Sequence, residues 1–108
     1  MDALAKLKAA DAMCSLLERR KRAESLANRL RGLSEGLDSL ERDALSAAHS
    51  LLSTGTNTDH DAVLKYRWIR DEMQKMTARV ADATKEHQKA VRLVEAAERE
   101  YRKARCHA

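Results

Sequence analysis

The sequence predicts an all-α protein, a long antiparallel hairpin of two helices that pair as a coiled coil. Three observations predict it: apolar positions with alternating steps of four and three residues, one turn-rich segment near the middle, and no proline in 108 residues. Residues three and four apart share one face of an α-helix, and two apolar positions in seven form the narrow seam of a coiled coil. Proline disrupts helix interiors because it lacks an N–H donor and clashes with the preceding turn. We therefore expect residues 1–108 to form a single helical hairpin.

The first helix is predicted over about residues 2–53, where two apolar registers occur. The regular register comprises Leu26, Leu30, Leu33, Leu37, Leu40, Ala44, Ala47 and Leu51. Upstream, Leu16 and Ala23 keep this register, with Arg19 between them at a position where an apolar residue belongs. A second register, one residue out of step, comprises Ala3, Leu7, Ala10, Cys14 and Leu17. We interpret this shift as a local stutter, at which the helix continues but its seam rotates.

A turn is predicted over about residues 54–58, and it separates the two helices. Gly55 can adopt the left-handed conformation that ends a helix, and Thr58 or Asp59 can cap the next helix. A connection this short joins antiparallel neighbours. Within the first helix, Gly32 and Gly36 each cost about 1 kcal/mol relative to alanine and predict a flexible or weakened point.

The second helix is predicted over about residues 59–105, with an apolar stripe that continues to its end. From Ala62 onward the stripe comprises Tyr66, Ile69, Met73, Met76, Val80, Ala83, His87, Ala90, Val94, Ala97, Tyr101 and Ala104. In an antiparallel hairpin, the leucines at 30, 33, 37 and 40 should face Met73, Met76 and Val80. A hairpin with one seam buries little apolar surface, so we expect a protein partner or a second copy to add stability.

Basic residues exceed acidic ones by 21 to 17, and they concentrate at the open end of the predicted hairpin. Arg19, Arg20 and Arg22 belong to one cluster, and residues 99–105 contain another. Such clusters suit nucleic-acid phosphates, a solvated coiled-coil surface, or an acidic or polar protein channel. Interleaved acidic residues, and no aromatic among the basic ones, favour a protein over nucleic acid. We therefore assign these three arginines as candidate partner-binding residues.

A second candidate surface lies near the turn. Trp68 falls between the seam positions Tyr66 and Ile69, so it should point away from the other helix, with Leu64 one turn earlier on the same outer face. On the first helix, Leu45 and Leu52 are also one step off the seam. We interpret these four residues as a protein-docking patch, and a wider local core or a self-association contact is the alternative.

The sequence offers no arrangement typical of an active site or of a cofactor or metal site. Glycine-rich phosphate loops and nucleophile motifs are missing, and the neighbouring Cys106 and His107 lack a second pair of metal ligands. Cys14 and Cys106 are expected to lie too far apart for a disulfide, and free thiols are typical of the cytosol. The missing motifs predict a protein that is not an enzyme. Since no stretch resembles a signal core or a membrane span, the sequence also predicts a cytoplasmic location.

The opening Leu4-Ala5-Lys6-Leu7, and Tyr66-Arg67-Trp68-Ile69 just after the turn, give the chain a resemblance to a known family. Together with the basic hairpin, these segments resemble the FliJ/YscO family of flagellar and type III secretion export proteins. The resemblance implies a stalk in the export ATPase ring that also contacts the export gate and substrate chaperones. Two alternatives remain open: a generic coiled-coil scaffold or adaptor, and a basic nucleic-acid-binding hairpin similar to the arm of seryl-tRNA synthetase.

Overall fold

A computed structural model describes residues 3–55 and 59–107, and it consists of two long helices. Helix α1 spans Ala3–Thr54 and helix α2 spans His60–Cys106, and the described residues include no strand. The predicted fold class, an all-α hairpin of two helices, is confirmed. The predicted helix bounds of 2–53 and 59–105 differ from these by one residue at each end. The middle of the predicted turn and the proposed Thr58 cap lie outside the described residues.

The chain divides into two compact units, each containing a segment of both helices. The turn unit is Leu30–Asp82, and the terminal unit comprises residues 3–29 and 83–107 of the described chain. Each unit therefore has its own seam between α1 and α2, and the two seams differ in composition.

Local hydrogen bonds define the helix ends on either side of the turn. Gly55 has a φ of 58°, the left-handed conformation predicted for the end of α1. The Asp59 side chain accepts a hydrogen bond of 2.7 Å from the Ala62 N–H, which confirms Asp59 as the N-cap of α2. The Thr54 hydroxyl donates to the Leu51 carbonyl in the last turn of α1 at 3.1 Å. These contacts satisfy backbone groups that a helix end would otherwise leave unpaired.

The turn unit buries the seam that the regular register predicts. Ala44 and Ile69 are its buried residues. Leu30, Leu33, Leu37, Leu40, Met73, Met76 and Val80 are half-buried. A Cβ atom added to Gly36 would lie 3.5 Å from Met76 Cε, so α1 and α2 are in side-chain contact at this level. The seam of this unit is thus made largely of long, incompletely covered side chains.

The terminal unit has a different seam, rich in alanine. Leu16 and Leu26 of α1 are buried with Ala83, Ala90 and Ala97 of α2, which follow one another at intervals of seven residues. Such spacing keeps the three methyl groups on one line of the helix that faces α1. The small side chains on α2 leave room for the larger Leu16 and Leu26 of α1, so this seam combines two buried leucines with three buried alanines.

The predicted stutter at the start of α1 is wrong. Among the half-buried residues there, Ala5, Ala9 and Ala12 lead to Leu16 by steps of four, three and four. The second register is exposed: Leu7, Cys14 and Leu17 all face solvent. The seam therefore continues in one register from Ala5, because alanine fills it where sequence inspection favoured the larger leucines. Arg19 occupies its seam position with an exposed side chain, and its Nε donates to Ser15 Oγ at 3.3 Å.

Candidate protein-binding surfaces

Large apolar side chains are exposed on the outer surfaces of both helices. They are Leu4, Leu7, Leu17, Leu45, Leu52, Leu64, Trp68 and Leu93. The outer positions of a coiled coil are usually polar, and contiguous exposed apolar surface marks contact sites. Grooves between α1 and α2 place Trp68, Leu45 and Leu4 beside particular neighbours.

The Trp groove lies in the turn unit and has a floor of small side chains. It is lined by Asp43, Ser46, Ala47, Ser50, Ala62, Lys65, Trp68 and Ile69. Trp68 stands at its edge with 63% of its surface exposed. Leu64, one turn earlier on α2, is exposed on the same outer side. An aromatic ring beside a shallow, small-residue groove is suited to packing against a partner helix or loop.

The leucine groove also lies in the turn unit. It is lined by Glu41, Ala44, Leu45, Ala48, Tyr66, Arg70 and Met73. Arg70 Nη1 donates to the Tyr66 hydroxyl at 3.1 Å, which fixes one wall. Leu45 is 72% exposed, and Leu52, two turns further along the same side of α1, is 83% exposed.

The four predicted docking residues near the turn do not form one patch. Trp68 and Arg70 precede and follow the buried Ile69, so they project about 100° to either side of the seam; Trp68 lines one groove and Arg70 the other. On α1, Asp43 and Leu45 flank the buried Ala44 in the same way. Leu45 and Leu52 consequently lie on one side of the turn unit, and Trp68 and Leu64 on the other. The prediction of a single patch was wrong because it considered only distance from the seam.

The arginine groove lies in the terminal unit, where both helices supply cations. It is lined by Met13, Leu16, Arg20, Glu98, Tyr101, Arg102 and Arg105. Glu98 pairs with Arg20 of α1 at 3.3 Å and with Arg102 of α2 at 3.9 Å. Exposed ion pairs of this kind contribute about 0–1 kcal/mol, so they orient the arginines more than they stabilise the fold.

Only one of the three arginines predicted to bind a partner lines this groove. Arg20 does so, whereas Arg19 and Arg22 are exposed and do not line the groove. Tyr101 was missed: it is half-buried beside Arg102, which contradicts the expectation that no aromatic lies among the basic residues. The neighbouring Arg99 and Arg102 in the sequence already indicate an aromatic residue among basic ones, but the seam position of Tyr101 predicts only a core residue.

Formal charge is distributed unequally between the two units. Residues 1–29 and 83–108 contain 14 basic and 8 acidic residues, whereas residues 30–82 contain 7 basic and 9 acidic residues. The overall charge of +4 therefore combines a basic terminal unit with a slightly acidic turn unit. At moderate ionic strength, such an asymmetry steers charged partners to one unit.

Further properties of the described residues concern free thiols, metal-ligand clusters and membrane-spanning stretches. Cys14 and Cys106 are exposed free thiols. Within residues 3–55 and 59–107, His, Cys, Asp and Glu side chains form no group of three or more that could hold a metal ion. In the same ranges, neither helix has a stretch long and apolar enough to cross a membrane.

No family model matches the chain, and neither a curated protein nor a solved structure does so. Functional inference therefore depends on the residues themselves and on the hairpin that displays them.

Proposed function

We propose that this protein is a cytoplasmic coiled-coil adaptor of a type III protein export apparatus, acting as a stalk of the export ATPase ring and contacting the export gate and substrate chaperones. The observation that carries the proposal is Trp68, a 63% exposed tryptophan beside a groove of small residues. It belongs to Tyr66-Arg67-Trp68-Ile69, one of the two segments with the resemblance to the FliJ/YscO family. A side chain of this size gains most from burial at an interface.

The surfaces of the two units suit different partners within this function. The turn unit has the exposed apolar groups Trp68, Leu64, Leu45 and Leu52, which suit the export gate or a chaperone. The terminal unit has the excess of positive charge, including Arg19, Arg20 and Arg22, which suits the ATPase ring. Charge accelerates and orients encounter, and buried apolar groups hold a complex together.

The gate contact is tested with purified full-length protein and the cytoplasmic gate domain encoded in the same genome. Replacing Trp68 with alanine should weaken binding by tens of fold, because alanine removes most of the interface contact of an aromatic anchor. Helix content and melting temperature should stay unchanged, since the ring lies off the seam. Leu93→Ala, which truncates an exposed leucine in the terminal unit, is the matched control and should bind normally. Unaltered gate binding by the Trp68→Ala chain would contradict the proposal.

The ATPase contact is tested by the triple substitution of Arg19, Arg20 and Arg22 with glutamate. It should abolish stimulation of the export ATPase while the hairpin stays folded. A charge-matched control replaces Arg42, Arg67 and Arg79, exposed arginines of the turn unit, with glutamate and should retain stimulation. Normal stimulation by the first variant would exclude these arginines from the ring contact.

A generic scaffold or adaptor is the second candidate function, and the two grooves on opposite sides of the turn unit favour it. Such a protein would hold two partners at once without any export ATPase. In that case, the substitutions Trp68→Ala and Leu45→Ala should each remove a different partner from the set of proteins that become cross-linked to the chain. A basic nucleic-acid-binding hairpin would instead bind random-sequence DNA or RNA in a salt-dependent manner, and the Arg19, Arg20 and Arg22 substitutions would abolish that binding.

A further inference from the structure

Helix α1 carries two short ridges beside its seam, one in each unit. The first ridge comprises Ala10, Met13, Leu17 and Arg20, with steps of three, four and three residues. The second ridge comprises Glu41, Leu45, Ala48 and Leu52, with steps of four, three and four. This spacing places each set of four residues along one line of a helix.

Both ridges are accessible to another helix. In the first ridge, Leu17 is 53% exposed, and Met13 and Arg20 line the arginine groove. In the second ridge, Leu45 and Leu52 are the most exposed large apolar residues of the described chain, and Glu41, Leu45 and Ala48 line the leucine groove. Each ridge thus combines apolar contact groups with one charged residue at one end.

The ridges are complementary when they run in opposite directions. Arg20 then faces Glu41, and Leu17 faces Leu45. Further along, Met13 faces Ala48, and Ala10 faces Leu52. Each step of three on one ridge meets a step of four on the other, as antiparallel coiled-coil helices require. The match joins opposite charges, pairs two leucines, and twice places a large side chain against alanine.

A single chain cannot make this contact within α1. Leu17 and Leu45 belong to the same helix, Ala3–Thr54, and two segments of one continuous helix cannot pack side by side. The complementary ridge must therefore come from another chain. A second copy supplies it, and the excess of basic residues in the terminal unit and of acidic residues in the turn unit favours this pairing over ridge pairs of like kind.

We propose that two copies of this protein associate through α1, with the first ridge of one copy packed antiparallel on the second ridge of the other. Each copy carries one ridge of each kind, so two identical chains supply both halves of the contact. The pair of Arg20 and Glu98 does not prevent it, because both side chains remain partly exposed and Arg20 can reorient toward a carboxylate of the second copy. This self-association does not depend on any export component. It covers Arg20, Leu45 and Leu52, so a dimer leaves Trp68, Leu64, Arg19 and Arg22 as the candidate contacts for other partners.

Disulfide trapping between two differently tagged chains tests the register. In a background carrying Cys14→Ser and Cys106→Ser, one chain carries Leu17→Cys and the other Leu45→Cys. A disulfide forms only when the two Cα atoms come within about 4.4–6.8 Å. Mild oxidation should give mixed disulfides at least tenfold in excess over either homodisulfide. The matched control pairs Leu7→Cys with Leu45→Cys: Leu7 is 60% exposed but lies outside the ridge, so little mixed product is expected.

Charge exchange followed by sedimentation equilibrium tests the same interface without cysteine. Arg20→Glu and Glu41→Arg should each weaken dimerisation several-fold, and the double variant should restore it because the facing charges are exchanged. Circular dichroism should show unchanged helix content for all three variants. The proposal is overturned if the wild-type chain stays monomeric at millimolar concentration, or if the mixed disulfide does not exceed the Leu7 control.

Discussion

Each of the two units packs a segment of α1 against a segment of α2, and they do so with different side chains. The terminal unit buries Leu16, only 2% exposed, against a helix with alanine at every seventh position. The turn unit relies on half-buried leucines and methionines, and its buried residues are Ala44 and Ile69. The alanines of α2 leave room for the buried Leu16 and Leu26, whereas the turn unit fills its seam with longer, flexible side chains such as methionine. We therefore expect changes in side-chain size to destabilise the terminal unit more than the turn unit.

Truncating the most buried side chain should have the largest effect. Leu16→Ala is expected to destabilise the terminal unit by about 2–4 kcal/mol, because it removes apolar contacts and leaves a cavity. The neighbouring Leu17→Ala removes an exposed side chain and should change stability by less than about 0.5 kcal/mol. Urea unfolding followed by circular dichroism compares them. Equal losses for the two variants would contradict the register that begins at Ala5.

Enlarging an alanine of the α2 seam should be the next largest effect. Ala90→Leu is expected to cost about 1–3 kcal/mol, because the closely packed helices must separate to accept three more carbon atoms. Ala81→Leu adds the same atoms at an exposed position of α2 and is the control, with an expected change below about 0.5 kcal/mol. In the turn unit, Met76→Leu should be tolerated at less than about 1.5 kcal/mol. If Ala90→Leu stabilises the protein, the terminal seam is not closely packed.

Replacing the helical glycines of the turn unit should give the smallest change and the opposite sign. Gly32→Ala should stabilise by up to about 1 kcal/mol, because a Cβ atom there meets open space and alanine favours helix. Gly36→Ala should stabilise at least as much, since its Cβ would make an ordinary contact of 3.5 Å with Met76 Cε. Thermal melts of the two single variants provide the measurement. A lower melting temperature for Gly36→Ala alone would show that this part of the seam is as tight as the terminal one.

The helices and most of the seam could be predicted because periodicity is a local property of the sequence. The regular steps from Leu26 to Leu51 and from Ala62 to Ala104 correspond to buried or half-buried positions. The Asp59 cap and the left-handed Gly55 also follow from local chemistry. The start of α1 was different, because two registers competed and hydrophobicity favoured the leucines. The seam there is formed by the alanines at 5, 9 and 12, which continue the register of Leu16 and Leu26 by steps of four and three. That spacing was present in the sequence, but the larger leucines of the second register outweighed it.

The candidate surfaces were predictable in part for a similar reason. Sequence spacing shows how far a residue such as Trp68 or Leu45 lies from the seam, and the structure places both at exposed positions. Separating the two sides of a hairpin requires both the direction of rotation from each seam residue and the pairing of the helices. The arginine groove required the pairing as well, since Arg20 and Glu98 are 78 residues apart.

The position of Trp68 also gives the protein a built-in optical reporter. It is the chain's only tryptophan and lies in the turn unit, so its fluorescence responds to events in that unit. Far-ultraviolet circular dichroism, in contrast, averages over both helices. Coincident unfolding curves from the two signals would mean that the units melt as one cooperative block, whereas separate midpoints would measure the energetic coupling between them. Without any added label, the same molecule thus reports how far a disturbance in one seam spreads to the other.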